Sequence, residues 1–312
     1  MRSKAELERA IRSGGRGVLI VNTKSRRGRR LFATARRRVA ASVRLAAVLP
    51  VPDPAELPGA FRTAVDLRPD LIVVGGGDGT LKEAVGHLVH RDIALGVLPL
   101  GTTNNFARTL GLPPHLRGAA RVIRHGKVAD VDAGLITRDG GADVFANMVS
   151  LGMSVAVAKN APAKLKLIAG RTAYALTALH RMPVHEPFRA IVRTSDDTYV
   201  FTTHQLNIAN GAHHSGRPIA HDAGPDNRRL TVYRLGDESR HRLAGATLRH
   251  VLAGHRRSLD EDAFIKTRDV HVETDPPLPV DVDGEVRGRT PVQVTLLPNA
   301  LRVVVPQDFI DT

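Results

Sequence analysis

The chain has no cysteine and no tryptophan, and only 4% of its 312 residues are aromatic. Without cysteine there is no disulfide framework and no thiolate nucleophile, which fits a reducing compartment. Scarce aromatics remove the stacking platforms on which single-stranded nucleic acids are held. No recognised nucleic-acid motif compensates for them. Long apolar runs are also missing, and none approaches the ~20 residues that a membrane-spanning helix needs. The opening residues, Met-Arg-Ser-Lys-Ala-Glu-Leu-Glu-Arg-Ala-Ile-Arg, read as a charged amphipathic helix and not as a secretion signal. No internal repeat is visible. Together these absences predict a soluble, cytoplasmic protein with no specific nucleic-acid partner.

What is present begins with size and charge. A hydrophobic content of 42% over 312 residues supports one large domain or two ordinary ones. Forty-five Lys and Arg face 31 Asp and Glu, for a formal net charge of +14. Such a surface attracts polyanions, including nucleotides and anionic lipid headgroups. An arginine-rich composition with no dedicated partner would give the same total.

Hydrophobic periodicity divides the chain in two. Strands at 17–22, 43–49, 71–74 and 93–98 alternate with helices at 26–41, 59–67, 80–90 and 103–110. Alternation of this kind predicts a doubly wound, mainly parallel sheet. The expected α/β domain runs over 1–128. Beyond it come short strands at 129–136, 144–150, 188–194, 199–210, 230–234, 269–274 and 292–296, with helices only near 155–182 and 239–255. That pattern predicts a mainly antiparallel β domain over 129–299.

Two strand ends carry the chemistry. At residues 71–80, Leu-Ile-Val-Val-Gly-Gly-Gly-Asp-Gly-Thr, a buried strand stops at glycines just before an amphipathic helix. Bare N–H groups beside a helix N-terminus form an anion site. Asp78 repels a naked phosphate but suits one carried with Mg²⁺. A tight strand-to-helix turn would use the same glycines. At residues 96–113 a second strand ends in Pro99-Leu100-Gly101-Thr102-Thr103-Asn104-Asn105. Ligands of open α/β sheets bind outside the carboxyl ends of the strands, so both loops are expected to face one crevice.

These runs, Gly-Gly-Asp-Gly-Thr and Leu-Pro-Leu-Gly-Thr-x-Asn-x-Phe-Ala-Arg, resemble the catalytic domain of the diacylglycerol kinase and sphingosine kinase family, and its soluble bacterial lipid kinases in particular. Two further segments agree with the resemblance. Residues 18–28, Val-Leu-Ile-Val-Asn-Thr-Lys-Ser-Arg-Arg-Gly, resemble the family's opening Asn-Pro-x-Ser-Gly loop, with Thr23 in place of proline. Residues 282–291 resemble its Asp-Gly-Glu motif with trailing Thr-Pro. The resemblance implies a nucleotide-binding α/β domain, a β-sandwich lipid-binding domain, and a final segment, 300–312, that returns to the first domain.

Roles follow from what phosphoryl transfer needs: in-line positioning, charge neutralisation and a base for the alcohol. Gly75, Gly76, Gly77 and Gly79 would offer N–H groups to ATP, and Thr80 would cap the helix and reach a phosphate oxygen. Asp78 would hold Mg²⁺, directly or through water. Gly101, Thr102 and Asn104 would complete the crevice, with Asn22 and Ser25 contacting the nucleotide. Asp283 is the candidate base and Glu285 its neighbour, raising its proton affinity. An Asp-Gly hairpin turn is the competing reading of Asp283-Gly284. Lys24, Arg26 or Arg108 could clamp a phosphate. The pair His213-His214 suits a loop better than a metal site.

Departures from the family pattern are also legible. Lys82 stands where the family commonly has Asn. In the segment His221-Asp222-Ala223-Gly224-Pro225-Asp226-Asn227-Arg228-Arg229-Leu230, Asn227 and Arg228 replace an aspartate and a glycine. That exchange argues against the accessory structural Mg²⁺ held there in bacterial relatives. The resemblance implies an ATP-dependent kinase for a membrane lipid, diacylglycerol first, associated peripherally with an anionic membrane. A sphingoid, ceramide or other lipid-alcohol kinase, NAD kinase, and a non-catalytic nucleotide-binding regulator stand as alternatives. A dimer is left open.

Overall fold

A computed structural model of the chain describes residues 2–153, 155, 186–214, 217–218, 224–235 and 264–311. The described chain forms two compact units. The first comprises Met1–Ala133, Gly224–Asn227 and Leu297–Thr312. The second comprises Gly134–Ala223 and Arg228–Leu296.

Unit 1 begins with α1 (Lys4–Arg12), started by a capping box in which Ser3 and Glu6 satisfy each other's backbone N–H. Then come β1 (Arg16–Asn22), α2 (Arg26–Ala40), β2 (Arg44–Val51), a 3₁₀ turn (Pro54–Glu56), α3 (Leu57–Asp66), β3 (Leu71–Gly76), α4 (Asp78–Leu88), β4 (Ala94–Pro99), α5 (Asn105–Thr109), α6 (Leu116–His125) and the start of β5 (Lys127–Arg138). Strands β2, β1, β3 and β4 lie side by side and parallel. All six residues of β3 and all six of β4 are buried, as a parallel sheet covered on both faces requires. Helices α1, α2 and α6 share one core with alternate strand residues, among them Leu7, Val39 and Ile123 against Leu19, Val21, Leu71 and Val73. The intervening residues Val18, Ile20, Ile72 and Val74 are buried on the opposite face, where α3 and α4 pack.

Unit 2 takes the rest of β5, then β6 (Gly141–Phe145), β7 (Met148–Gly152), β8 (Phe188–Thr194), β9 (Thr198–Thr203), β10 (Gln205–Ala209), β11 (His213–His214), β12 (Arg217–Pro218), β13 (Leu230–Leu235), β14 (Phe264–Thr267), β15 (Asp269–Asp275), β16 (Pro279–Val282), β17 (Glu285–Arg289) and the start of β18 (Val292–Val305). Strands β14, β13, β10, β7, β16 and β17 form an antiparallel sheet in that order. The run β18, β15, β8, β9 forms the other layer. Val149, Leu151, Leu206, Ile208 and Val282 from the first meet Val192, Val270, Val272 and Val294 from the second in one sandwich core.

Strand β18 serves both units. Residues Val292–Thr295 pair antiparallel with β15, whereas Arg302 and Val303 pair parallel with β4. The strand turns at Pro298-Asn299, where Asn299 has φ +52° and its N–H donates to Asp132 at 2.9 Å. Arg302 forms an ion pair with Asp130 of β5, which Lys4 also joins.

Several elements differ from expectation. The strand expected over 144–150 is two, β6 and β7, because the backbone at Ala146-Asn147 leaves the ladder to bind a side chain described below. The strand expected over 199–210 breaks at the buried His204. Helix α6 and strands β14, β16 and β17 went unpredicted, although Leu116, Ala119, Ala120 and Ile123 carry a helical period. Apart from Val155, the helices expected near 155–182 and 239–255 lie outside the described residues, as do residues 221–223. No described helix is long and apolar enough to cross a membrane.

Candidate active site

Three loops meet at the carboxyl ends of β1, β3 and β4. After β1, Asn22 divides its side-chain amide between two neighbours. Its Oδ1 accepts from the Lys24 N–H at 3.1 Å, and its Nδ2 donates to Thr80 Oγ1 at 3.1 Å. Ser25 caps α2, its hydroxyl accepting from the Gly28 N–H at 2.9 Å.

After β3, the chain turns at Gly77 into α4. Gly75 and Gly76 are still in the strand, while Gly77 is the N-cap. Thr80 is therefore inside the first turn and not the cap, and it is buried. Among the described residues, the N–H groups of Gly77, Asp78 and Gly79 donate no backbone hydrogen bond. They are the orphan donors of a helix N-terminus. Added Cβ atoms explain most of the glycines. At Gly76 one would lie 2.5 Å from the Thr80 side chain, and at Gly77 one would lie 3.1 Å from the Cα of Gly101. At Gly79 one would meet nothing within 4 Å, so the fold itself has no use for glycine there.

After β4, the loop folds onto the first. Leu100 and Gly101 both donate to the Gly76 carbonyl, at 2.9 and 3.2 Å. Asn104 is buried with φ +51°, its Oδ1 accepting from the Gly101 N–H and its Nδ2 donating to the Gly101 carbonyl, both at 2.9 Å. Its side chain thus fixes the loop. Thr102 stands exposed at the tip. Arg108 Nε donates to the Thr103 carbonyl at 2.8 Å, which ties it to the same loop.

Asp78 links the two loops. Its carboxylate accepts from the Phe106 N–H at 3.2 Å. Burial pushes its carboxyl above the ordinary value, and the N–H groups of Asn105, Phe106 and Asn104 with the Arg108 charge pull the other way. No described group of three or more His, Cys, Asp and Glu side chains could cage a metal. A single desolvated carboxylate beside phosphate-binding N–H groups fits Mg²⁺ that arrives with a nucleotide and keeps most of its waters.

In unit 2, Asp283 and Gly284 form a two-residue hairpin between β16 and β17, with φ +51° and +92° and Val282 opposite Glu285. The turn reading is therefore right about the backbone. The side chain does something further. Its carboxylate accepts from the N–H groups of Ala146 at 2.7 Å, Asn147 at 3.0 Å and Met148 at 2.9 Å. The Asp283 N–H in turn donates to the Met148 carbonyl at 3.0 Å. The three N–H donors fix the position of the carboxylate. Glu285 is exposed and forms an ion pair with Arg287 at 2.7 Å. The partners that sequence reasoning missed are Ala146, Asn147 and Met148, with the buried Asn210 donating from Nδ2 to the Ala146 carbonyl at 3.0 Å. His213 belongs to the short β11, paired with β12.

Residues 16–136 match the family described as the diacylglycerol kinase catalytic domain, and residues 147–305 match the YegS C-terminal NAD kinase beta sandwich-like domain. The chain belongs to this two-domain kinase family. Among its curated relatives in that family is a Staphylococcus carnosus (strain TM300) protein named "Putative lipid kinase", 27% identical over 256 residues, covering 75% of this chain and 76% of the relative. A protein of Staphylococcus haemolyticus (strain JCSC1435), also named a "Putative lipid kinase", is 28% identical over 244 residues with the same two coverages. Two solved structures from Bacillus anthracis str. Sterne share the fold. One, titled a "putative diacylglycerol kinase", has a TM-score of 0.78 at 23% identity, covering 95% of this chain and 97% of that one. The other, of a diacylglycerol kinase, has a TM-score of 0.73 at 22% identity. In this kinase family member the glycine loops lie in the catalytic-domain match, and the Asp283 hairpin lies in the sandwich-domain match.

Proposed function

We propose that the protein is an ATP-dependent lipid kinase that transfers the γ-phosphoryl group to the hydroxyl of diacylglycerol. The observation that carries the nucleotide half is Gly79. A Cβ there would touch nothing in the fold, yet Gly79 is the last of three consecutive orphan N–H donors at the start of α4. A phosphate that approaches this backbone closely would account for the missing Cβ. Gly77, Gly79, Gly101 and Thr102 surround that position; Asn22, Ser25, Thr80 and Asn104 hold the loops in shape. Asp78 would carry the Mg²⁺, whose charge offsets the build-up on the phosphoryl oxygens. Asp283, fixed by three N–H groups, would orient the acceptor hydroxyl and take its proton late, when bond formation has made that proton acidic. The family match and the names of the relatives support lipid as the acceptor class.

NAD as acceptor is the second reading, favoured by the description of the sandwich-domain match. One experiment separates the two. Purified protein is given γ-labelled ATP and Mg²⁺ with diacylglycerol, ceramide, a sphingoid base or NAD. Label in phosphatidic acid supports the proposal. Label in NADP and in no lipid overturns it.

A further inference from the structure

The net charge of the chain is concentrated in two stretches. Residues 9–52 and 93–129 together hold 17 of the 45 Lys and Arg and none of the 31 Asp and Glu. The rest of the chain is slightly acidic, so an arginine-rich composition does not explain the excess. The two stretches supply α2 and α6, which share one core on one face of the unit 1 sheet.

On α2 the arrangement is costly to the helix. Gly28, Ala35 and Val39 face inward and are buried. Arg26, Arg30 and Arg37 form a row on the opposite side, with Arg36 and Arg38 on its flanks, and all five are exposed. Arg121 and Arg124 are exposed on α6. Among the described residues none of these seven has an acidic partner. Like charges at i,i+4 destabilise a helix, and Arg26 lies in the first turn, where the helix dipole is already positive. The dipole favours Arg37 and Arg38 in the last turn, but no described acidic side chain of unit 1 offsets the arginines before them, which points to an anion from outside.

We propose that the outward face of α2, extended by α6, docks unit 1 on an anionic lipid bilayer. The row from Arg26 to Arg37 is about 16 Å long, which spans more than one headgroup and far exceeds one small anion. A bilayer is favoured over nucleic acid because the exposed positions of α2 are Arg, Ala and no aromatic, with nothing to stack on or read a base. The face starts where α2 leaves the Asn22–Ser25 loop, so it borders the candidate nucleotide site within the same unit. The choice of a bilayer rests on the lipid-kinase reading; the search for an anion does not.

The test uses the whole protein, without ATP and without diacylglycerol, so that it is independent of activity. Binding is measured by co-sedimentation with phosphatidylcholine vesicles and with vesicles containing about 30 mol% phosphatidylglycerol. Wild type is expected to prefer the anionic vesicles at least ~10-fold and to lose that preference in about 0.5 M salt. Each lipid-facing arginine should be worth about five-fold in the partition coefficient. The variant Arg30→Glu, Arg37→Glu is expected to bind the anionic vesicles about 10²-fold more weakly. It should melt close to wild type, because the i,i+3 and i,i+4 pairs that Arg30→Glu makes with Arg27 and Arg26 offset the unfavourable dipole that Arg37→Glu meets in the last turn. Should it fail to fold, the neutral variant Arg30→Gln, Arg37→Gln, Arg121→Gln replaces it. Arg189→Gln, at an exposed position of β8 in unit 2, should change nothing. Equal binding to both vesicle types, or unchanged binding by a folded α2 variant, overturns the proposal. Tighter binding to a duplex oligonucleotide than to the anionic vesicles overturns it in favour of nucleic acid.

Discussion

Replacing Asp283 by asparagine keeps the size of the side chain, yet the structure predicts that it does not keep the shape of the sandwich. Three buried N–H donors converge on two carboxylate oxygens: Asn147 and Met148 on Oδ1, and Ala146 on Oδ2. An amide can leave its oxygen at the first position and satisfy two of them. Its NH₂ then faces the Ala146 N–H, and donor meets donor. Ala146 is buried, so an unsatisfied N–H there costs about 1–3 kcal/mol. The two remaining bonds lose their charge assistance, at about 1 kcal/mol each. The sum is roughly 4 kcal/mol, which lowers the melting temperature of a unit this size by roughly 10 °C. Calorimetry or circular dichroism of Asp283→Asn beside wild type reads this directly. A melting temperature within about 2 °C of wild type refutes the clasp. Turnover measured well below the transition should fall by about 10²–10⁴ if the carboxylate also accepts the substrate proton. Nucleotide affinity should hold, since the glycine loops belong to the other unit. Loss of nucleotide binding in a folded variant would assign Asp283 a metal-linked or structural role instead.

Three further outcomes are expected. Asp78→Asn should cut Mg-dependent turnover by about 10²-fold or more. Burial raises the Asp78 carboxyl, so the folded state holds its proton more tightly, and wild-type stability falls as pH rises through the range above 3.8. Asp78→Asn should therefore melt at or above wild type at neutral pH, with the gap closing below that range; a lower melting temperature at neutral pH would contradict it. Gly79→Ala should fold normally, gain about 0.5–1 kcal/mol from helix propensity, and yet weaken ATP binding, as equilibrium dialysis would show; undiminished ATP binding would remove the close approach proposed there. Gly101→Ala drives a Cβ into the Gly77 Cα and to 2.7 Å from Asn104 Oδ1, so it should cost about 1–3 kcal/mol and weaken ATP binding, leaving vesicle binding unchanged.

The parallel sheet was legible because its signals are local: β1, β3 and β4 are apolar runs ended by Gly, Pro or Asn, each followed by a helical period. Boundaries shifted by one to three residues at most of these elements. The glycine loops were legible as a site for the same reason, but the duties inside them were not. Asn104 reads as a ligand contact in the sequence and turns out to clamp Gly101 from a left-handed backbone. Thr80 reads as a helix cap and sits inside the first turn, receiving Asn22. The clasp on Asp283 was hidden because its donors lie 135 to 137 residues earlier, and nothing in Ala146-Asn147-Met148 marks three N–H groups for export. The same export split the strand expected over 144–150. The kink in β18 lies at Pro298-Asn299, a pair that punctuates loops and strands alike.

That kink bears on how the chain is made. The strand beside β4 comes from residues 302–303, synthesised some 200 residues after β4 itself. Until then β4, buried along its whole length in the finished molecule, is an open sheet edge with unpaired N–H and C=O groups. Unit 1 therefore cannot finish folding as it emerges from the ribosome, although its first 133 residues are ready early, and the interval is a window for misassociation through that edge. A fragment ending at Ala133 would remain in that state, so cutting the chain at the apparent boundary yields an aggregating half and not a nucleotide-binding domain.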